Sequence, residues 1–278
     1  MKGQIRMIAK RDIYDRNSNL LVAKGTEITD TIIKRLERLG LYNPKDIFDS
    51  EETINQNSKS ESVISITQDF SKKINIRNAK YLELPNKILS TIIFESKNKP
   101  WFMYINALSN YLDWIYTHSI NVSLISTMMA VELKYNDKEL WNISLGAFLH
   151  DLGMLLVPKF ILSKPEPLND MEMKYVQQHC ELGMSTLKPL SLPKECTDVI
   201  MEHHERLDGS GYPRGIKGDE ISRNAKIVMI ADVIDEITSG RTYRGPMEME
   251  DAFIIVKENK EKLSQELIEL LEKILNSL

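Results

Sequence analysis

From about residue 63 onward, apolar residues recur at intervals of three and four, and this period dominates what the chain can fold into. Such a repeat gives each helical segment one apolar face, and these faces pack against one another. Glycine and proline collect instead at residues 208–218, where a structured loop is expected. Residues 63–278 are therefore predicted to form an all-α helical bundle. The clearest periodic segments are residues 101–114, 116–133, 138–152, 169–187, 193–207, 224–239 and 263–275.

The first 62 residues have a different pattern, which predicts a small α+β module. Residues 16–19 supply turn chemistry before the apolar run Leu20-Leu21-Val22, and a helix follows with Thr29 as its N-cap. Residues 49–62 are almost wholly polar and indicate a linker, because they cannot bury a core. The predicted division is 1–62 for the module with its linker and 63–278 for the bundle. Residues 1–62 carry no ligand motif and are expected to be a sensor, a homodimer contact or a docking surface for a signalling protein.

Composition excludes several classes of function. The net charge of −4 gives no broad basic surface, so a nucleic-acid polymer is not an expected partner. The most apolar run, residues 122–131, is far shorter than the ~20 residues that a membrane helix needs, and no membrane span is predicted. The first residues lack the apolar segment of a secretory signal. Two cysteines, Cys180 and Cys196, are too few for a disulfide framework, so we expect inert thiols in a reducing cytoplasm.

Histidine and aspartate provide the chemical signal in the bundle. The only histidines are at positions 118, 150, 179, 203 and 204, each in or at the end of a predicted helix. His150 is followed by Asp151, and a further carboxylate, Asp232, lies in an apolar helical run, where a charge is costly unless it is compensated. Adjacent helical residues point in different directions, so such doublets suit a site between two metal ions. Imidazole and carboxylate ligands without thiolate favour iron, manganese, nickel or zinc.

Seven short pieces of the sequence form an ordered set. They are His118 in His-Ser-Ile-Asn-Val, His150-Asp151-Leu152-Gly153, His179 in Gln-Gln-His, His203-His204-Glu205, Asp208-Gly209-Ser210-Gly211-Tyr212-Pro213, Ala231-Asp232-Val233-Ile234-Asp235 and Thr238-Ser239-Gly240-Arg241-Thr242-Tyr243-Arg244. The set resembles the HD-GYP phosphodiesterases of the HD metal-hydrolase superfamily. The resemblance covers about residues 100–260 and implies an HD-type helical bundle.

The resemblance also implies an activity and a site. It implies hydrolysis of cyclic di-GMP to linear pGpG, and sometimes to GMP, with two divalent metal ions, iron or manganese, and no organic cofactor. Asp151 would bridge the ions, and His118 would be a ligand where a third metal is present or a lining residue otherwise. The implied catalytic residues are His150, Asp151 and Asp235, and the implied substrate-binding residues are Gly211, Tyr212, Arg241 and Arg244. The implied metal ligands are His150, Asp151, His179, His203, His204 and Asp232.

Two positions depart from the pattern of that family. Met154 follows Gly153 where the family has a lysine, so an ammonium that would face the scissile phosphate is missing and slower turnover is expected. Lys159 and Lys164 are nearby candidates to replace that charge. Trp114 occupies the position one helical turn before His118 where three-metal members have a glutamate. This chain is therefore predicted to hold two metals, which favours pGpG as the product.

Three alternatives to an active cyclic di-GMP phosphodiesterase stay open at this point. The first is a receptor that keeps metals and ligand but turns over slowly, for which Met154 is the sequence support. The second is a phosphodiesterase for a related ligand, such as a mixed cyclic dinucleotide. The third is a purely structural helical protein, which metal analysis of the purified protein would distinguish.

Overall fold

The computed structural model describes residues 13–14, 20–22, 66, 69–70, 80–95, 99–240 and 245–276. Contacts between Cα atoms divide the chain into two compact units, residues 1–60 and 61–278. The division falls inside the polar segment 49–62. The predicted helix that begins near Thr29 and the linker itself lie outside the described residues, and the role of the first unit stays a prediction.

In the first unit the structure describes one antiparallel strand pair. Strand β1 is Ile13–Tyr14 and strand β2 is Leu20–Val22. Ile13 pairs with Val22 and Tyr14 with Leu20, so the register shifts by one residue between the two pairs. The strands flank residues 16–19, the segment for which the sequence predicts a turn.

The described part of the second unit is helical. In chain order the α-helices are α1 (Lys80–Ser90), α2 (Phe102–Tyr111), α3 (Asp113–Glu132), α4 (Asp137–Leu149), α5 (Lys159–Leu162), α6 (Asp170–Gln177), α7 (His179–Leu187), α8 (Lys194–Glu202), α9 (Arg223–Ser239), α10 (Met249–Glu258) and α11 (Gln265–Asn276). A π-helical turn, Thr91–Glu95, follows α1, and 3-10 turns occur at Leu152–Leu156, Lys188–Leu190 and Gly218–Glu220. The prediction of an all-α bundle is confirmed for these residues. None of the described helices is long and apolar enough to cross a membrane.

Side-chain caps fix the beginnings of several helices. Asn136 accepts from the backbone N–H groups of the first turn of α4, and Glu139 bonds back to the Asn136 N–H, which completes a capping box. Asn169 and Glu172 do the same at the start of α6. Ser222 caps α9 by accepting from the Ala225 N–H at 3.2 Å. Each helix that carries these caps therefore begins at a position set locally by the sequence.

Helix α3 lies at the centre of the bundle. It contacts α1, α2, α4, α9 and α11, and residues 118–130 are all buried. A helix that is buried all round is surrounded by its neighbours rather than lying at a surface. Small polar residues let α4 approach closely, as where Ser123 Oγ donates to the Ser144 carbonyl at 3.0 Å. This central position places His118 of α3 inside the core.

Two helices predicted as continuous are broken. Leu112 has extended dihedral angles of −145° and 121°, so the segment 101–114 ends as α2 and a new helix begins at Asp113. The segment 169–187 is likewise interrupted at Gln178, so that His179 is the first residue of α7. Apolar periodicity cannot register a single interrupting residue, because the faces on either side keep their three- and four-residue spacing.

Gly153 is where the Leu152–Leu156 turn meets α7. A Cβ atom on Gly153 would lie 1.9 Å from the His179 carbonyl oxygen and 2.7 Å from the Gly183 nitrogen. Backbone atoms cannot move away as a flexible side chain can, so only glycine allows this approach. The glycine that follows His150-Asp151 in the sequence is therefore a packing requirement of the fold.

Replacing Gly153 with alanine is expected to destabilise the protein by about 1–3 kcal/mol or more, because the methyl group overpacks two backbones. The measurement is urea denaturation followed by circular dichroism. Gly245→Ala is the matched control, because a Cβ atom there meets nothing within 4 Å. Equal stability of the two variants would contradict the packing role of Gly153.

Candidate metal centre

Seven side chains converge in two adjacent groups. In the first ligand group, the ligand atoms of Asp151, His179, His203 and His204 all lie within 4.8 Å of one another. The second ligand group, defined by the same distance, is His118, His150 and Asp232. His204 is the most accessible member, with 12% of its side chain exposed, and the other six are buried. The structure thus brings together all seven residues that the sequence predicts as candidate metal ligands.

Five separate segments supply these side chains. His118 lies on α3, the pair His150-Asp151 follows α4, and His179 begins α7. The pair His203-His204 follows α8, and Asp232 lies in the middle of α9. Residues more than a hundred positions apart therefore meet only because the helices that carry them pack together.

Backbone carbonyls orient three of the imidazoles. The Nδ1 atom of His150 bonds to the Ala147 carbonyl at 2.6 Å, and that of His179 bonds to the Val176 carbonyl at 2.7 Å. His203 Nδ1 bonds in the same way to the carbonyls of the preceding turn, the shorter contact being 3.0 Å. A carbonyl can only accept, so Nδ1 carries the proton in each ring. The Nε2 lone pair is then available to a metal ion, which is the usual arrangement of histidine ligands.

His118 is oriented by a carboxylate instead. Its Nδ1 atom contacts Asp235 Oδ2 at 2.7 Å, and Asp235 also accepts from Asn121 Nδ2 at 2.9 Å and Ser239 Oγ at 3.0 Å. Burial opposes a positive charge on His118, but the carboxylates of Asp232, 3.0 Å from its Nε2 atom, and of Asp235 outweigh it and raise the pKa of His118 to about 10. Asp235, predicted as catalytic, therefore lies behind His118, with its oxygens occupied by three protein donors.

Asp151 lies between the two ligand groups. Its Oδ1 atom is 3.2 Å from His179 Nε2 and 3.8 Å from His203 Nε2. Its Oδ2 atom is 3.5 Å from His150 Nε2 and 3.7 Å from His118 Nε2. Each oxygen thus faces a different set of imidazoles. An ionised carboxylate in this position can offer one oxygen to each ligand group.

Asp232 has the same divided arrangement from the other side. Its Oδ1 atom is 3.0 Å from His118 Nε2 and 3.8 Å from His150 Nε2. Its Oδ2 atom is 3.8 Å from His204 Nδ1, in the first ligand group. The two carboxylates together therefore connect both groups across the buried centre.

The protonation states suit metal ligation. Burial, with the charges of neighbouring imidazoles, lowers the pKa of His203 to about 3, and burial also lowers the pKa of His179 and His204. Burial alone would raise the pKa of Asp151, but the surrounding imidazoles hold it below its ordinary value. These histidines are thus neutral and this aspartate is ionised near pH 7, the forms that bind metal ions.

Several buried polar atoms in the centre lack a protein partner. Among the described residues, His150 Nε2, Asp151 Oδ1 and Asp232 Oδ2 make no hydrogen bond. The Nε2 atoms of His179 and His203 face each other at 3.1 Å, although the Nδ1 atom of each is already a donor. Buried carboxylates and facing nitrogen lone pairs are unfavourable unless a cation lies between them. The donor set therefore fits metal binding, and the cluster is able to hold metal ions.

The predicted substrate-side residues are only partly described. Tyr212 stacks on His204, with ring centroids 4.7 Å apart, and its N–H donates to the His204 carbonyl at 3.1 Å. A Cβ atom on Gly211 would lie 2.4 Å from that carbonyl oxygen, so Gly211 permits the close approach. Both residues therefore border the first ligand group. Arg241 and Arg244 lie outside the described residues, and their roles stay predictions.

The two departures from the family pattern have different settings. Met154 is buried in the core, with 4% of its surface exposed, and Trp114 is half-buried one turn before His118. Lys164 pairs with Glu172 at 2.7 Å, and the Lys159 ammonium lies 5.5 Å from the ring centre of Tyr111. Both lysines thus have contacts away from the seven ligand residues, which does not favour either as a replacement for the missing ammonium.

The two cysteines are buried free thiols. Burial raises the pKa of the Cys196 thiol to about 12 and also raises the pKa of Cys180. Cys180 Sγ lies 3.5 Å from His179 Nε2, which places a protonated thiol beside the first ligand group. A raised pKa is the setting of an unreactive thiol.

Three residues near the centre received no role from the sequence. Asn121 donates to Asp235, and the buried carboxylates Glu202 and Glu205 flank the pair His203-His204. The sequence did hold a signal for the glutamates, because each is within one residue of a histidine doublet. Their partners, however, come from a loop whose folded position is not apparent from local pattern.

The comparisons with known proteins agree with this geometry. A model of the HD domain family matches residues 103–267. A Vibrio cholerae serotype O1 protein named 3'3'-cGAMP-specific phosphodiesterase 3 is 37% identical over 162 residues, which are 58% of this chain and 35% of that protein. A Thermotoga maritima protein named cyclic di-GMP phosphodiesterase is 35% identical over 174 residues, 61% of this chain and 47% of that protein. The chain thus spans between a third and a half of the length of these relatives.

A solved structure from Bdellovibrio bacteriovorus, described as a HDG"Y"P protein, superposes with a TM-score of 0.54. The match covers 99% of this chain and 96% of that one at 16% sequence identity, so it supports the fold alone. The HD family model, in contrast, matches the sequence itself over more than half of the chain and includes all seven clustered ligand residues. This protein belongs to the HD domain family.

Proposed function

We propose that this protein is a metal-dependent phosphodiesterase that hydrolyses cyclic di-GMP to linear pGpG. The observation that carries the proposal is the position of Asp151, whose two oxygens face different imidazole groups inside a buried cluster. Membership of the HD domain family, and relatives named as phosphodiesterases of cyclic dinucleotides, support the same reaction class.

The centre would hold two divalent ions, one in each ligand group. Imidazole and carboxylate donors without a thiolate ligand favour iron or manganese, with availability deciding between them. Bound ions would supply a Lewis acid that polarises the phosphoryl group and lowers the pKa of a coordinated water. A half-buried Trp114 one turn before His118 supports two ions rather than three, because an indole offers no carboxylate ligand there.

The position of each site residue indicates its proposed role. Asp151 would bridge, and Asp232 would connect the two groups from the opposite side. His150 would be a ligand of the second group, as His179 and His203 would be of the first. The remaining candidates have less direct roles: His118 as a ligand or lining residue held by Asp235, Gly211 and Tyr212 on the substrate side, and Arg241 and Arg244 at the guanine or phosphate groups.

The substrate follows from the relatives rather than from a bound ligand. One relative is named for 3'3'-cGAMP and another for cyclic di-GMP, and both match this chain over the HD region. Because the chain spans less than half of each, the choice between these cyclic dinucleotides is part of the proposal. Cyclic di-GMP is the leading substrate and 3'3'-cGAMP the one to compare with it.

A second candidate function is a receptor that binds a cyclic dinucleotide with little turnover. The observation that favours it is Met154, a buried thioether where an ammonium is expected, with Lys159 and Lys164 both engaged elsewhere. A thioether cannot stabilise the negative charge that develops in phosphoryl transfer.

In either case the two free thiols fit a reducing cytoplasm, and residues 1–62 would form the dimer contact or docking surface.

Asp151→Asn is expected to lower product formation by about 10²–10³-fold or more, because an amide NH2 group replaces one carboxylate oxygen and one of the two ligand groups loses that donor. The measurement combines metal quantification with chromatography of products from cyclic di-GMP and, separately, 3'3'-cGAMP. Asp251→Asn, an exposed carboxylate on α10, is the matched control and should retain metal and activity. Wild-type protein with two bound ions that leaves both nucleotides intact would refute the enzyme and support the receptor.

Met154→Lys is expected to raise kcat by about tenfold or more, because the family resemblance implies that an ammonium at this position faces the scissile phosphate. Steady-state kinetics of the metal-loaded protein provides the measurement. Leu156→Lys is the control, since it adds the same charge to an exposed position of the same 3-10 turn. An equal response of the two variants, in proteins with equal metal content, would show that the Met154 position has no special role.

A further inference from the structure

His204 differs from the other four histidines of the metal centre in how its ring is held. Among the described residues, the Nδ1 atom of each of the other four hydrogen-bonds to a carbonyl or carboxylate oxygen, whereas no hydrogen bond holds the His204 ring. The ring instead stacks on Tyr212, with the two planes 29° apart, and otherwise packs against two rings of its own ligand group, His203 and His179. The orientation of His204 therefore depends on the position of Tyr212.

The position of Tyr212 depends in turn on the loop 208–218. The Tyr212 N–H donates to the His204 carbonyl, and Gly211 lies so close to that carbonyl and to Glu205 Cα that a Cβ atom would clash with both. The loop thus presses against the backbone that carries the histidine pair. One backbone hydrogen bond does not by itself fix the Tyr212 ring, so further contacts have to hold the loop in place.

Glu202 provides the first anchor. It is the last residue of α8, directly before His203, and only 5% of it is exposed. One carboxylate oxygen accepts from Arg214 Nη2 at 2.6 Å, and the other accepts from the Ser222 N–H at 2.8 Å. Charge-assisted hydrogen bonds of this kind are stronger than neutral ones. Glu202 therefore ties the end of the loop and the N-cap of α9 to the helix that precedes the histidine pair.

Glu205 provides the second anchor. It directly follows His204, is fully buried, and accepts from the backbone N–H of Arg214 at 2.8 Å. Its other oxygen makes no hydrogen bond among the described residues. A buried carboxylate is costly unless a donor faces it, so the Arg214 N–H stabilises Glu205 and in turn fixes the loop beside the histidine pair. We name Glu202, Glu205 and Arg214 the carboxylate clamp.

We propose that Glu202 and Glu205 are positioning residues: through Arg214 they hold Tyr212 against His204 and so set the orientation of that imidazole toward a metal ion. The inference rests on the proposed metal site and goes beyond it, since it assigns a function to residues that touch neither metal nor substrate. It also gives the Tyr212 ring a structural role that is separate from any contact of its hydroxyl with a nucleotide.

The ring is tested first. Apparent dissociation constants for Mn²⁺ alone are measured by equilibrium dialysis on the full chain, with no nucleotide present. Tyr212→Leu is expected to raise the constant about tenfold, the lower end of the range for residues that orient a ligand. Tyr212→Phe keeps the stacked ring and should bind Mn²⁺ as the wild type does. Equal Mn²⁺ binding by the two variants would overturn the proposal.

The clamp is tested by a double-mutant cycle with the same measurement. Glu202→Gln places an amide donor against the donors of Arg214, and Arg214→Ala removes them, so each is expected to raise the Mn²⁺ constant about tenfold. Because both substitutions remove the same contact, the double variant should bind Mn²⁺ no more weakly than the weaker-binding single variant. Fully additive effects, or unchanged Mn²⁺ binding in the single variants, would overturn the proposal. Glu181→Gln, an exposed carboxylate on α7, is the matched control.

Two further readouts separate this role from others. Melting curves of the metal-free variants establish that each of them folds. If Glu202→Gln does not fold, Arg214→Ala still tests the clamp, because the Arg214 side chain is 47% exposed. If Arg214 acted by contacting nucleotide, Arg214→Ala would raise KM and leave Mn²⁺ binding unchanged, and that result would also contradict the proposed role of the carboxylate clamp. Since Mn²⁺ binding needs no turnover, failure of the proposed hydrolysis would leave this result intact, and the reverse holds as well.

Discussion

The described structure depends on the need to compensate two buried carboxylates. Asp151 and Asp232 are each only 2% exposed, and an ionised carboxylate in such surroundings is stable only when positive charge or strong donors face it. Five imidazoles surround them, and His118 is held by the Asp235 carboxylate; the rings of His150, His179 and His203, whose Nδ1 atoms donate to carbonyls, turn Nε2 lone pairs toward the centre rather than N–H donors. The centre is therefore arranged around cations, and the helices have to deliver seven side chains within a few ångströms of one another.

The bundle meets this requirement with rigid elements and a hydrogen-bonded second layer. Helix α3 contributes His118 from the middle of the core, and α9 contributes Asp232 and Asp235, three residues apart on one face, both in contact with His118. Backbone carbonyls one turn away fix three of the histidine rings, and Asp235 fixes His118. Because these four rings are oriented by a group in their own segment or in a packed helix, their ligand atoms are positioned before an ion binds, which lowers the cost of binding it.

The glycines of the motifs serve close backbone approaches rather than flexibility. Gly153 lets the turn after Asp151 lie against the first turn of α7, and Gly211 lets the loop lie against the backbone of His204. In both cases the atoms that a Cβ would meet belong to segments carrying a ligand histidine. The glycine positions in these motifs therefore mark where two backbones are in contact. The carboxylates on either side of the histidine pair, Glu202 and Glu205, mark where the loop is bound.

The sequence by itself determined the helical class of the described bundle and the identity of the seven residues that cluster, because periodicity and residue type are local properties. It did not determine the interruptions at Leu112 and Gln178, which leave the apolar period unchanged. Nor did it reveal that Asp235 is hydrogen-bonded to His118, Asn121 and Ser239, or that Glu202 accepts a hydrogen bond from Arg214. Only the tertiary structure decided these, because a hydrogen bond across 117 positions depends on how two helices pack, and no local pattern encodes that.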